Sequence, residues 1–507
     1  MSGRRLRTVA GALAPLLRSE LSHAVGRGSE EDMPATRRRA RETRLVFERL
    51  GPFYIKVGQI LSTRPDIVSE EMVREFRGLH DTVSVQPFPQ FESVLRAELG
   101  DRWRTMFATF DTTHPLGAAS LAQVYAATLP DGRPTAVKVQ RPGVAPVIGQ
   151  DMALLRRAAG LLARVAPGFT ELVDVRAMLG TLFEAMNGEL DFTLEAQQMD
   201  RARAEIVDFK HLDVPEVLLA TPRVMIQSRA PGCSIRDADP TDFTTDERLG
   251  IGRDLLAFMY RGYFTTKVFH ADPHPGNIFV HPGHKASLID WGMVGRIDRR
   301  TSHTILRVLA NVVLNDGQGV ARAWIDMGRA TDRADIPAFT SDMEALVPTL
   351  TSVSLDQLDF GITFTALLTA STRRGIRTNP AIAMLGKSFA NLEGSIRHLV
   401  PELRITDIFA DEIRDIMIDL IADEFSELRL ADTILTLTTS DSTLQHLQTI
   451  LQNLATGEMT VRAQQASRLD PRTRTRRVVF GVAAAAYLWA KDHRTARILA
   501  QALTNNR

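Results

Sequence analysis

Cysteine is almost absent: Cys233 stands alone in 507 residues. A lone thiol excludes an intramolecular disulfide, and such sparse usage fits a reducing compartment. Lysine is scarce as well. Only seven of the 61 basic residues are lysines, and the rest are arginines. A lysine set inside an apolar strand is therefore unlike the rest of the surface charge. Net charge is only +1, which removes any bulk electrostatic case for a nucleic-acid partner. No signal peptide is read at the start. The uncharged run from Val478 to Ala490 is thirteen residues, short of the ~20 needed to span a bilayer. It suits a buried or interfacial helix, and Ala483 to Ala486 also suit a close helix–helix contact.

Against this background one stretch is rich in chemistry. Residues 270–277 read His-Ala-Asp-Pro-His-Pro-Gly-Asn, and Asp290-Trp291-Gly292 follows thirteen residues after Asn277. The layout is that of a protein-kinase catalytic loop, H-x-D-x-x-x-x-N, with a metal-binding D-x-G after it. Asp272 must reach the nucleophile that attacks the γ-phosphorus. Asn277 must turn back to a magnesium ion, and Asp290 must bridge metal and phosphates. The flanks suit that task. Residues 264–269 lead in, Asn277 to Val280 reads as a strand, His281-Pro282-Gly283 as a turn, and Ala286 to Ile289 as a returning strand. The alternative is a Pro/His-rich surface loop that happens to contain an aspartate.

An upstream lobe is also legible. Ala136-Val137-Lys138-Val139 is an apolar strand with one embedded lysine, the pattern whose lysine contacts the α- and β-phosphates. An edge-strand lysine facing water is the other reading. Where a glycine-rich loop would precede it, the chain has Gly117-Ala118-Ala119-Ser120. Small side chains still let backbone N–H groups approach phosphate, although alanine permits less positive φ than glycine. Taken alone the run also suits a helix start or a packing seam.

These motifs together resemble the UbiB-type (aarF-domain) atypical kinase-like family. The carriers are the alanine-rich loop, Val137-Lys138-Val139-Gln140-Arg141-Pro142-Gly143, the His270–Asn277 loop and the Asp290 triplet. Two further stretches make the match specific. Lys56, Gly58 and Gln59 form a K-x-G-Q, and Glu189 with Asp191 forms an E-x-D in Glu189-Leu190-Asp191-Phe192-Thr193-Leu194-Glu195. The resemblance spans roughly residues 45–405. It implies ATP and Mg²⁺ as cofactors. Lys138 would pair with Glu195 and touch the nucleotide phosphates, with Gly117, Ala118, Ala119 and Ser120 beside them. Asn277 and Asp290 would hold magnesium, and Asp272 would stand where a kinase has its base. Lys56 and Gln59 would belong to a lid that meets Glu189 and Asp191 over the nucleotide. Three departures stand out: Trp291 where phenylalanine is usual, Gly117 where alanine is more common, and Ile226-Gln227-Ser228 at the hinge where a Met-Glu pair is common. The larger Trp291 ring is expected to shift the packing that orients Asp290.

The implied fold is α+β: a bilobal protein-kinase-like fold with a small mixed N-lobe, a mostly helical C-lobe, a helical N-terminal extension and a helical C-terminal tail. The expected division is 1–44 as a basic arm, 45–110 as the extension with the lid, 111–230 as the N-lobe, 231–430 as the C-lobe and 431–507 as the tail. Helices are read over residues 305–314, 320–327, 336–350 and 382–399, and an amphipathic face recurs at Ile413, Ile416, Leu420 and Ile421. A Glu393–Arg397 pair is expected to join the last core helices. In the arm, ten arginines face five acidic residues. Residues 27–32 and the Arg37–Arg39 run read as linker, and Leu13, Leu16, Leu17 and Leu21 as a face that could rest on an anionic membrane. A transit peptide and a solvated arm packed on the domain are the alternatives.

The implied function is a magnesium-dependent kinase-like ATPase in the cytoplasm or peripheral at a membrane, supporting isoprenoid quinone lipid metabolism. Its expected partners are nucleotide, a lipid or quinone-type small molecule, and proteins of a biosynthetic complex. A small-molecule or lipid kinase and a nucleotide-sensing scaffold without turnover are the competing readings.

Overall fold

Alternation builds the first sheet. Val137 and Val139 are fully buried on one face of their strand, while Lys138 between them is only partly buried on the other. The computed structural model describes residues 33–62, 68–79, 85–165, 175–331, 334–351, 360–378 and 380–404, with isolated positions between 5 and 12 and between 408 and 416. The expectations for residues 417–507, including Val478–Ala490, and for the leucines of the arm lie outside the described residues.

Three helices come first: α1 (Met33–Leu50), α2 (Pro52–Leu61) and α3 (Glu70–Arg77), packed on one another. The Arg37–Arg39 run is not linker but part of α1. Arginine is a good helix former, and Ala40 anchors the helix by burying completely. Helix α4 (Pro89–Leu99) then leads to strands β1 (Thr109–Phe110), β2 (Gly117–Ala118), β3 (Ala122–Thr128) and β4 (Pro134–Gln140). Helices α5 (Val144–Val165), α6 (Val175–Leu190) and α7 (Phe192–Glu205) follow, and then β5 (Leu212–Asp213), β6 (Val217–Ala220) and β7 (Val224–Ser228). All but β5 of these strands form one antiparallel sheet in the order β1-β3-β4-β7-β6, with β2 on β3. Phe91, Val94 and Leu95 of α4 seal its outer face with Trp103, Phe107, Tyr125 and Ile226.

The second half opens with β8 (Cys233–Ser234) and α8 (Thr245–Arg261), whose first turn is closed by a reciprocal Thr244–Glu247 capping box. A single π-helical turn, Gly262–Thr266, gives way to β9 (Val268–His270). The expected hairpin is there as β10 (Ile278–Val280) and β11 (Ala286–Leu288), paired Ile278↔Leu288 and Phe279↔Ser287. Strands β5 and β8 flank it, and β12 (Val294–Arg296) pairs back with β9. Helices α9 (Arg299–Val313), α10 (Gly317–Met327), α11 (Ile336–Thr351), α12 (Phe360–Arg373) and α13 (Pro380–Leu399) complete the described core, with β13 (Arg329–Ala330) paired to β14 (Ile376–Arg377). Four of these helices match the expected segments, and α12 was not foreseen. Tyr260, Tyr263, Phe264, Trp324 and Phe389 are fully buried among them, and the Tyr263 and Phe389 ring centroids lie 4.3 Å apart. The architecture is α+β: a small antiparallel lobe followed by a mostly helical one, as a bilobal kinase-like fold requires.

Candidate active site

The strand register delivers Lys138. Pairing with Val124 on β3 and Met225 on β7 fixes its backbone at the sheet centre. Its Nζ then reaches both carboxylate oxygens of Glu195 on α7 at 2.8 Å and lies 3.8 Å from Asp290 Oδ1. It also sits 5.2 Å from the Phe192 ring centroid, a cation–π distance. Burial pulls the lysine basicity down, but Asp290 and Glu195 outweigh it and raise it, so Lys138 stays charged. Glu195 is 1 % exposed, and burial pushes its carboxyl up to about 7 against the pull of Lys138. Asp191 starts α7 by accepting from the Thr193 N–H and Oγ1, which aims Glu195 one turn later at the sheet.

The catalytic-loop stretch is held by its own backbone. A short 3₁₀ turn spans Pro275–Asn277. The Asn277 side chain donates to the Asp272 carbonyl at 3.1 Å, and the Ile289 N–H donates to the Asn277 carbonyl at 3.0 Å. This last bond ties the loop to the segment that leads from β11 to Asp290. Asp290 accepts from the Gly292 N–H at 3.0 Å. Burial opposes its charge, yet Lys138 and that N–H hold the carboxylate far below the usual range. Trp291 does not displace Asp290 from Lys138. Its indole is 4 % exposed, donates to the Leu288 carbonyl at 3.1 Å and packs edge-on against His270 at 4.8 Å. A larger ring fits because it turns into the helical core, away from the cleft.

The remaining expected residues divide. Lys56 on α2 is 7 % exposed and pairs with Glu189 at 2.5 Å, and its charge helps lower the pKa of both Asp272 and Asp290. The extension thus reaches the site. Gln59 turns elsewhere and donates to the Leu79 carbonyl, while Asp191 serves its own helix. The small-residue loop folds as the edge strand β2 with a turn at Ala119 and Ser120, braced by the Arg141 side chain on the Ala119 carbonyl at 2.8 Å. Ser120 is buried.

Two contributors were missed by sequence reasoning. Lys387 Nζ lies 3.0 Å from Asp272 Oδ2, and Asn391 Nδ2 donates to Asp272 Oδ1 at 2.6 Å. Burial raises the Asp272 pKa, but Lys387 leads the groups that bring it down to about 2. The scarcity of lysine was an available signal: three of the seven meet at this one centre.

Comparison with known proteins agrees with the geometry. Residues 78–324 match the ABC1 atypical kinase-like domain. A probable protein kinase UbiB of Pseudomonas putida is 32% identical over 379 residues, covering 73% of this chain and 69% of that protein. The chain belongs to the UbiB family of atypical kinase-like proteins. An uncharacterized protein from the hydrogenase 1 5' region of Clostridium pasteurianum is 29% identical, covering 73% and 70%. Among solved structures, the Rv3197–erythromycin complex of Mycobacterium tuberculosis is 25% identical, covers 71% of this chain and 93% of that one, and has a TM-score of 0.44. The Rio2 kinase–ADP/Mg²⁺–phosphoaspartate complex of Chaetomium thermophilum is 10% identical, covers 65% and 98%, and has a TM-score of 0.27.

The residues of this UbiB-family site suit a magnesium nucleotide. Among the described residues no group of three or more His, Cys, Asp or Glu is arranged to hold a metal by itself. Magnesium is commonly held by one or two carboxylates with substrate phosphates completing the shell, and Asp290 with Asn277 offers that hard oxygen set. No helix among the described residues is long and apolar enough to cross a membrane.

Proposed function

We propose that this chain is an ATP-binding, magnesium-dependent atypical kinase-like ATPase that works at or near membranes and supports isoprenoid quinone lipid metabolism. The observation that carries the nucleotide reading is the Lys138–Glu195 pair with Asp290 Oδ1 3.8 Å from the lysine. One fixed cation stands beside one metal-ready carboxylate, the pairing that phosphoryl transfer demands. Asn277 and Asp290 would hold magnesium, which neutralises charge on the phosphates. Lys138 orients the α- and β-phosphates and keeps its charge through Glu195. Asp272 is an ionised acceptor that aligns the attacking water or hydroxyl. The Lys56–Glu189 pair brings the extension to the site, an arrangement that would favour water over a bulky acceptor and so hydrolysis. The membrane and quinone parts rest on family membership.

The test is phosphate release from Mg·ATP by the purified chain, with and without anionic liposomes. Release that liposomes stimulate and Asp290→Asn abolishes supports the reading, and a rate change in Lys56→Ala assigns the extension to the site. No release, with nucleotide still raising the melting temperature, would overturn hydrolysis. Phosphate appearing on a lipid hydroxyl instead would make the chain a lipid kinase.

A further inference from the structure

Helix α13 lies beyond the residues that match the family domain, yet it touches the catalytic loop repeatedly. Besides the two bonds to the Asp272 carboxylate, Ser388 Oγ donates to the His270 carbonyl at 2.7 Å, and Ser395 Oγ shares its proton between the Pro273 carbonyl at 2.8 Å and the Asn391 carbonyl of its own helix at 2.7 Å. Both serines are fully buried. Positions 387, 388, 391 and 395 share one face of a helix. That face therefore holds the loop by backbone and side chain over residues 270–273. The loop itself offers no lysine or arginine between Asp272 and Asn277, and the two side-chain donors to the Asp272 carboxylate described above come from α13.

We propose that Lys387 and Asn391 are positioning residues for phosphoryl transfer, a clamp that fixes the Asp272 carboxylate toward the acceptor oxygen. The proposal rests on the phosphotransfer reading above. A carboxylate offers about four lone-pair sites. The clamp occupies one on each oxygen, which fixes the side-chain torsion and leaves the other sites to the nucleophile. Lys387 is charged, so the hold is stronger than a neutral hydrogen bond. A catalytic group moved by about 1 Å loses on the order of 10²-fold in rate.

The experiment uses the full chain in native form and as Lys387→Met, Lys387→Arg, Asn391→Leu, Asp272→Asn and the Asp272→Asn/Lys387→Met double variant. Phosphate release gives kcat and KM for Mg·ATP, and hydrogen–deuterium exchange reads the amides of residues 271–277. The clamp requires Lys387→Met and Asn391→Leu to lower kcat by roughly 10²-fold with KM little changed. Lys387→Arg should recover most of the loss, and the double variant should be no slower than Asp272→Asn alone. Exchange should speed up at 271–277 and stay native elsewhere. The proposal is overturned by a folded Lys387→Met with native kcat, or by its full loss persisting in the Asp272→Asn background. A rise in exchange spread over the whole chain overturns it too. Should Lys387→Met fail to fold, Asn391→Leu and Lys387→Arg decide the same questions. If the native chain releases no phosphate, the hydrolysis reading fails by itself. Loop-confined exchange in the variants then upholds the clamp, and unchanged exchange overturns it.

Discussion

His270 supplies an acid switch whose size follows from its surroundings. The ring is 1 % exposed. Its Nδ1 accepts the Asp272 N–H at 3.2 Å, so the neutral ring carries its proton on Nε2. Burial dominates and lowers the imidazole to about 4, although Asp290 and Asp272 pull the other way. In the unfolded chain the same group titrates near 6.5. Between those two values the unfolded chain binds a proton that the folded chain refuses. Stability from this group is therefore whole above about pH 6.5, falls as the pH drops, and stops falling below about 4. At about 1.4 kcal/mol per pH unit the loss amounts to about 3 kcal/mol. Urea unfolding of the native chain and of His270→Asn from pH 7.5 to 4 measures it, because the asparagine oxygen keeps an acceptor for the Asp272 N–H. The native chain should lose about 3 kcal/mol more than the variant over that interval. Parallel stability curves would refute the argument.

Other perturbations have clear directions. Gly232 has φ +79°, and an added Cβ would lie 2.0 Å from the Val280 carbonyl oxygen; Gly232→Ala should lose at least about 2 kcal/mol in denaturant unfolding. Thr244→Ala opens the capping box of α8 and should cost about 1 kcal/mol. Trp324, buried completely in α10, should cost roughly 3–5 kcal/mol on replacement by alanine. Lys138→Met should keep a folded chain but remove most of the melting-temperature rise caused by Mg·ATP, and chelating magnesium should do the same to the native chain.

What could be read in the sequence was what lies close together along it. The His270–Asn277 loop, the β10–β11 hairpin and Asp290 are neighbours in sequence, so their spacing alone encodes their geometry. Lys138 and Glu195 are 57 residues apart, and no spacing rule predicts their meeting; it was expected from family resemblance. Lys387 lies 115 residues beyond Asp272, and its helical pattern shows an apolar face without saying which loop that face meets. Gln59 failed differently. Its motif neighbour Lys56 points into the site, but one helical turn later the side chain faces the Leu79 carbonyl. The Arg37–Arg39 run misled because charge density was read as a linker, whereas buried Ala40 shows the helix has an inner face.

Gly361 on α12 carries a consequence for where this chain can be cut or altered. A Cβ there would come within 2.5 Å of Ala390 Cβ on α13, so two small residues set how closely those helices lie. Ala390 immediately precedes Asn391, which binds Asp272. A methyl group far from any phosphate would thus lever the donor away from the carboxylate. On the clamp proposed above, the active unit extends at least to α13, and an excised piece ending at residue 324, where the match to the ABC1 domain ends, would keep Lys138, Asp272 and Asp290 while leaving Asp272 without Lys387 and Asn391.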